Sequence, residues 1–214
     1  MEVGHIRFCI AFSDSGKDAG YLDAGLILDA AGNLYGMTPY GGAYGVGTVF
    51  ELTPKAGGGW MEKVLHTFDG KDGYHPDVTL TFDAVGNLFG ATTDGGAYNN
   101  GTVFELTPKV GGGWTHKILH SFSDRDLCYA TPIIDAAGNL YGTTVQGGTY
   151  GHGTVFELTP KTGGGWTHKI LHSFNDRDGA YPWTGLIFDT VGALYGTTQV
   201  GGSRGYGTVF KIAP

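Results

Sequence analysis

The sequence repeats itself four times, and that periodicity limits the possible fold more than any other feature. The segment GTVFELTP begins at Gly47, Gly101 and Gly153 and returns as GTVFKIAP at Gly207, giving spacings of 54, 52 and 54 residues. Upstream of each copy stands DAAGNLYG or a close variant, starting at Asp29, Asp83, Asp135 and Asp189. A third element, LHTF at Leu65 and LHSF at Leu119 and Leu171, follows a GGGW turn ending in Trp60, Trp114 and Trp166. Its counterpart in the first repeat, residues 9–12, lacks the histidine.

Each copy offers four short apolar runs separated by turn chemistry, which is the strand count of a propeller blade. The Asp-x-x-Gly-Asn signal predicts a tight hairpin, with the aspartate accepting backbone N–H groups and the glycine at positive φ. Forty glycines, 15% charged and 13% aromatic residues suit a turn-rich all-β chain. The expected architecture is a four-bladed β-propeller with four-stranded blades of about 53 residues. It forms one domain over residues 1–214, with repeats at about 1–54, 55–108, 109–160 and 161–214. The chain opens on an outer-strand element, HIRFCIAF, and stops on the strand that should pair with it. The N-terminal strand is therefore expected to complete the last blade, which removes a sheet edge. The alternative is half of an eight-bladed ring made by two chains head to tail, so the expected state is a monomer or a head-to-tail homodimer.

A net charge of -7 argues against a nucleic-acid partner, which would need clustered Lys and Arg. No apolar run is long enough for a membrane span, and the first residues lack the grammar of a signal peptide. Cys9 and Cys128 fall at non-equivalent places in their repeats and read as free thiols.

The combination DAAGNLYGTT, a glycine-rich loop and GTVFELTP resembles the GloVer-type tandem repeat of bacterial surface and secreted proteins, and covers essentially the whole chain. The hairpin grammar alone is also similar to blades of NHL and SMP-30-like lactonase propellers. The first resemblance implies a propeller at an extracellular or cell-surface location and brings no established chemistry with it.

With strands lettered A to D outward from the axis, the A–B and C–D turns are almost identical between copies and read as scaffold. The D–A and B–C loops differ between copies and hold nine of the twelve tyrosines. A site made by one chain must break the repeat symmetry. His75 is read as standing where the other repeats carry Tyr21, Tyr129 and Tyr181, followed by Asp23, Asp77 and Trp183. Asp94, His152 and Arg204 come from the B–C loops.

These residues support a small-molecule or glycan ligand on Tyr21, Tyr129, Tyr181 and Trp183, because aromatic planes stack on sugar C–H faces while acids and amides grip hydroxyls. They equally suit a metal-dependent hydrolase of esters, lactones or phosphotriesters, with Ca²⁺ or Zn²⁺ on Asp23, His75 and Asp77. Cys128 would then be a further ligand or a nucleophile beside His75 and Asp77. A structural surface repeat without a pocket is the third reading. The paired acids that open each D–A loop, such as Asp69 with Asp72 and Asp176 with Asp178, suit Asx turns better than Ca²⁺. The strand histidines His66, His116, His120, His168 and His172 recur with the scaffold and are expected to lie too far apart to meet.

Overall fold

The repeated aspartate builds the hairpin that starts every blade. Asp29 Oδ1 accepts the amides of Ala31 and Asn33 at 2.9 and 2.8 Å, and Gly32 takes φ 85°. Asp83, Asp135 and Asp189 accept the corresponding amides in the other copies. In the computed structural model, which describes residues 24–123 and 126–213, all regular structure is β. Blade 1 contains β1 (Ile27–Leu28), β2 (Leu34–Thr38), β3 (Thr48–Pro54) and β4 (Trp60–Thr67). Blade 2 contains β5 (Thr81–Phe82), β6 (Leu88–Thr92), β7 (Thr102–Pro108) and β8 (Trp114–Ser121). Blade 3 contains β9 (Ile133–Ile134), β10 (Leu140–Thr144), β11 (Thr154–Pro160) and β12 (Trp166–Ser173). Blade 4 contributes β13 (Ile187–Phe188), β14 (Leu194–Thr197) and β15 (Val209–Ile212).

Each sheet pairs its strands antiparallel in chain order, so every blade is a meander. The molecule is thus a four-bladed, all-β propeller, with three described strands in blade 4. The strand expected to complete that blade lies outside the described residues.

Neighbouring blades pack through aromatics that belong to one sequence repeat but to two different blades. The phenylalanine of LHTF or LHSF sits edge-on to the phenylalanine of GTVF in the next blade, as in Phe68 with Phe104 at 5.2 Å and Phe122 with Phe156 at 5.4 Å. Edge-to-face contact aligns the positive rim of one ring with the negative face of the other. The second strand, β6, carries glycine beneath that ring, since a Cβ added at Gly90 would stand 2.6 Å from Phe104 Cζ. At the top of each blade, buried threonine hydroxyls pair across the B and C strands, 2.8 Å apart for Thr144 with Thr154.

Around the axis, four equivalent positions bring the blades together. Gly25 N donates to Thr79 Oγ1 and Thr79 N to Thr131 Oγ1, each at 3.1 Å. Gly185 follows next, with its Cβ position 3.6 Å from the carbonyl oxygen of Thr131.

Candidate functional site

Two residues upstream of this inner ring, on the B–C and D–A loop face, the repeat symmetry breaks. Hydrogen bonds fix the register there. Thr93 N donates to His75 O, Val145 N to Leu127 O and Gln199 N to Tyr181 O. Leu127 is therefore the counterpart of His75 and Tyr181, which corrects the assignment of Tyr129 to that position. The physical reason is a shortening of the D–A loop of blade 3, which lacks the counterparts of Gly73 and Tyr74. Cys128 consequently occupies the place of Pro76 and Pro182, while Tyr129 occupies that of Asp77 and Trp183.

Asp77, Tyr129 and Trp183 thus come to the axis from successive blades. The rings of Tyr129 and Trp183 lie 4.9 Å apart at 53°, and Trp183 Nε1 donates to Gln199 Oε1 at 2.9 Å. Trp183 is nevertheless 46% exposed. Burial raises the Tyr129 hydroxyl above its ordinary pKa, and the charges of Asp94 and Asp77 push it further. Both carboxylates therefore bear on the same phenol.

Beside this group, His75 Nδ1 donates to Asp94 Oδ2 at 3.0 Å, and Thr93 Oγ1 donates to the same oxygen at 3.2 Å. The imidazole is covered by Tyr74 and Tyr40, with ring centroids 3.5 and 4.8 Å away, and its Nε2 is buried without a hydrogen-bond partner. His75 and Tyr181 share a left-handed backbone, at φ 52° and 56°. Non-glycine residues in that region cost about 1–3 kcal/mol, so the loops hold these side chains against strain. His152 packs against Tyr181 with centroids 5.9 Å apart, and Arg204 stands exposed on the B–C loop of blade 4.

Two expected assignments change. Cys128 is a free thiol with no exposed surface, its Sγ 3.7 Å from Ala130 O. Burial pushes its pKa up to about 12, so it is a protonated core residue, not a nucleophile. The strand histidines also meet, in pairs across blade junctions, because the outer strands of neighbouring blades run against each other. His66 stacks on His116 at 4.0 Å and 4°, and His120 on His168 at 4.2 Å and 22°. His66 Nε2 donates to Asp72 Oδ2 at 2.8 Å, and His116 Nδ1 lies 3.9 Å from that oxygen. Burial holds His116 and His120 down to about 4, aided by the neighbouring His66 and His168, so both are neutral at pH 7.

Among the described residues, His66, Asp72 and His116 form the group whose potential ligand atoms lie within metal range of one another. His75, Asp77 and Asp94 do not assemble in that way, while Asp23 and Tyr21 lie outside the described residues. The Asx-turn reading of the loop acids holds for Asp69, whose Oδ1 accepts the amides of Lys71 and Asp72. In blade 3 the turn residue is Asn175, whose Oδ1 accepts the amides of Arg177 and Asp178, rather than Asp176.

On the opposite face a groove between blades 3 and 4 is lined by Tyr141, Glu157, Asp189 and Lys211. A related groove lies between blades 2 and 3, so this feature follows the repeat. Among the described residues no helix is long and apolar enough to cross a membrane.

Among solved structures, the fold is similar to a gluconolactonase from Xanthomonas campestris, with TM-score 0.56 and 15% identity over 96% of this chain and 61% of that one. It is also similar to a candidate 6-phosphogluconolactonase from Bacteroides uniformis, with TM-score 0.54 and 13% identity over 93% of this chain and 59% of that one. The chain thus spans about three-fifths of the length of either, and at such identity the likeness concerns the fold. No curated protein matches the sequence. The family model, by contrast, matches residues 2–131 and 112–214, and the chain belongs to the Gloeobacter/Verrucomicrobia repeat family.

Proposed function

We propose that the axial mouth of the B–C and D–A loop face binds a small polyhydroxylated ligand of glycan type. Trp183 carries this reading. It keeps nearly half its surface open although Tyr129 and Gln199 hold it in place. A fixed, exposed indole is a platform for a sugar C–H face, and Asp77, Asp94 and the Tyr129 hydroxyl supply acceptors and a donor for ligand hydroxyls. Tyr181, which packs against His152, and the exposed Arg204 are assigned to further ligand contacts in this reading, and an extracellular or cell-surface location belongs to it too. Calorimetric titration with sugars chosen from a glycan array tests it. Trp183→Ala should weaken binding at least about tenfold, the loss expected of one stacking contact. No binding by the parent protein, or equal binding by the variant, overturns the proposal.

A second reading, hydrolysis of an ester or lactone at this mouth, is favoured by the His75 and Asp94 pair. A carboxylate that holds Nδ1–H leaves Nε2 as the basic nitrogen, the arrangement of a general base, and because Nε2 is buried this role requires the covering Tyr40 or Tyr74 ring to move aside for a substrate. The two lactonase-type neighbours support it at the level of fold. The described residues do not fit a metal at this mouth, so this reading runs through His75. Lactonase turnover abolished in His75→Gln supports it, and turnover unchanged in that variant rejects it.

Blade ends bear on assembly. Leu28 of blade 1 and Val209 of blade 4 are 63% and 78% exposed, whereas Val49, Val103 and Val155, the counterparts of Val209, are fully buried by neighbouring blades. A head-to-tail pair of chains would cover both ends with blades of the matching kind. Native mass spectrometry should find a dimer, and a monomer at micromolar concentration removes this part of the reading.

A further inference from the structure

We propose that His66, Asp72 and His116 form a binding site for a divalent transition cation of the zinc type at the junction of blades 1 and 2. The site is built from two repeats. His66 comes from the end of β4, Asp72 from the loop that follows, and His116 from the start of β8. Two imidazole nitrogens and a carboxylate oxygen are ligands for Zn²⁺, Co²⁺ or Ni²⁺, whereas Ca²⁺ and Mg²⁺ want oxygen shells.

Donors at zinc bonding distances in a tetrahedron stand about 3.4 Å apart. Here the Asp72 Oδ2 distances to the two histidines are 2.8 and 3.9 Å, and all three ligand atoms fall within 4.8 Å. An ion would open the first contact, draw in the second and fan the two parallel rings so that both lone pairs aim at it. His116 has the nitrogen to give, because Nδ1 stands beyond hydrogen-bond range of Asp72 and Nε2 is buried without a partner. Side chains of His66 and Asp72 keep 17% and 21% of their surface open, which leaves an approach and room for water as a fourth ligand.

The set occurs once among the described junctions. Between blades 2 and 3 the histidine pair recurs, but the shortened loop carries the corresponding acid, Asp126, to the amide of Gly148 at 3.1 Å. In blade 3, His172 Nε2 donates to Asp178 Oδ2 at 3.0 Å, but the described residues of blade 4 supply no second histidine. A departure from the repeat that leaves one junction able to bind an ion is the same kind of symmetry breaking that marks the axial mouth, at a separate place and with separate residues.

The test uses the whole protein, stripped with chelator and then titrated with Zn²⁺ by calorimetry and with Co²⁺ by visible absorption, alongside thermal melts. One equivalent should bind, give a low-symmetry Co²⁺ spectrum and raise the Tm. His116→Ala and Asp72→Asn should each weaken binding more than about tenfold, since even residues that only support metal ligands contribute 10–100-fold. Asp72→Asn keeps size and shape and carries the test if His116→Ala does not fold. His120→Ala, at the next junction, should leave binding unchanged. No bound equivalent, binding that survives both site variants, or binding that disappears in His120→Ala overturns the proposal.

Discussion

Blades 2 and 4 carry nearly the same GTVF strand but lie in different surroundings. In blade 2, Val103 and Phe104 are fully buried against blade 1 on one side and blade 3 on the other. In blade 4, Val209 is 78% exposed and Phe210 is only half-buried, although Phe174 packs on it at 5.0 Å as Phe68 does on Phe104. The stability that a repeat residue provides therefore resides in the junction and not in the motif, as expected of an array whose units contact only their neighbours.

That difference breaks first under truncation. Phe104→Ala should cost about 3–5 kcal/mol, the range for a large aromatic removed from a closed core, and Phe210→Ala less than half of that. Urea unfolding of the two variants checks it. Equal losses would mean that blade 4 is covered in solution as tightly as blade 2, which would sharpen the case for a pair of chains.

Acid should act on the inner junctions and spare the end. His116 and His120 have folded pKa values of about 4, below their ordinary 6.5, so the unfolded chain binds more protons between those values. Stability from the neutral pairs is then fully present above pH 6.5 and is lost as the pH falls toward 4. Both imidazoles are partly open to solvent, which reduces the ideal 1.4 kcal/mol per pH unit, so about 1 kcal/mol should disappear across the window. Thermal melts from pH 7 to pH 4 should show this loss, and His116→Gln with His120→Gln should flatten it. An unchanged slope in that variant would place the acid sensitivity elsewhere.

Much of the fold was legible because repeats expose their own grammar. The hairpin aspartates, the GGGW turns and the four strands of each blade follow from turn chemistry and apolar runs that act locally. The variable face was legible for the same reason, since departures from the repeat show in one sequence. Less legible was the register of the shortened loop. Tyr129 looks like the counterpart of His75 when residues are matched by type, whereas the backbone bonds of Leu127 place it two positions further along the chain in blade terms, at the place of Asp77 and beside Trp183. Cys128 misled in the same way, because a cysteine in a loop reads as reactive until its burial is known.

The sequence by itself determined the meander of each blade, the number of blades and the face on which copies disagree, because these depend on contacts within a few residues of one another. Only the tertiary structure decided which side chains meet across blades. His66 and His116 stand fifty residues apart and belong to strands that no local rule brings together, yet their rings stack at 4.0 Å. The physical reason is that their closeness depends on the angle at which one blade lies on the next, and that angle is set by the summed packing of the core, with Phe68 on Phe104 at its centre.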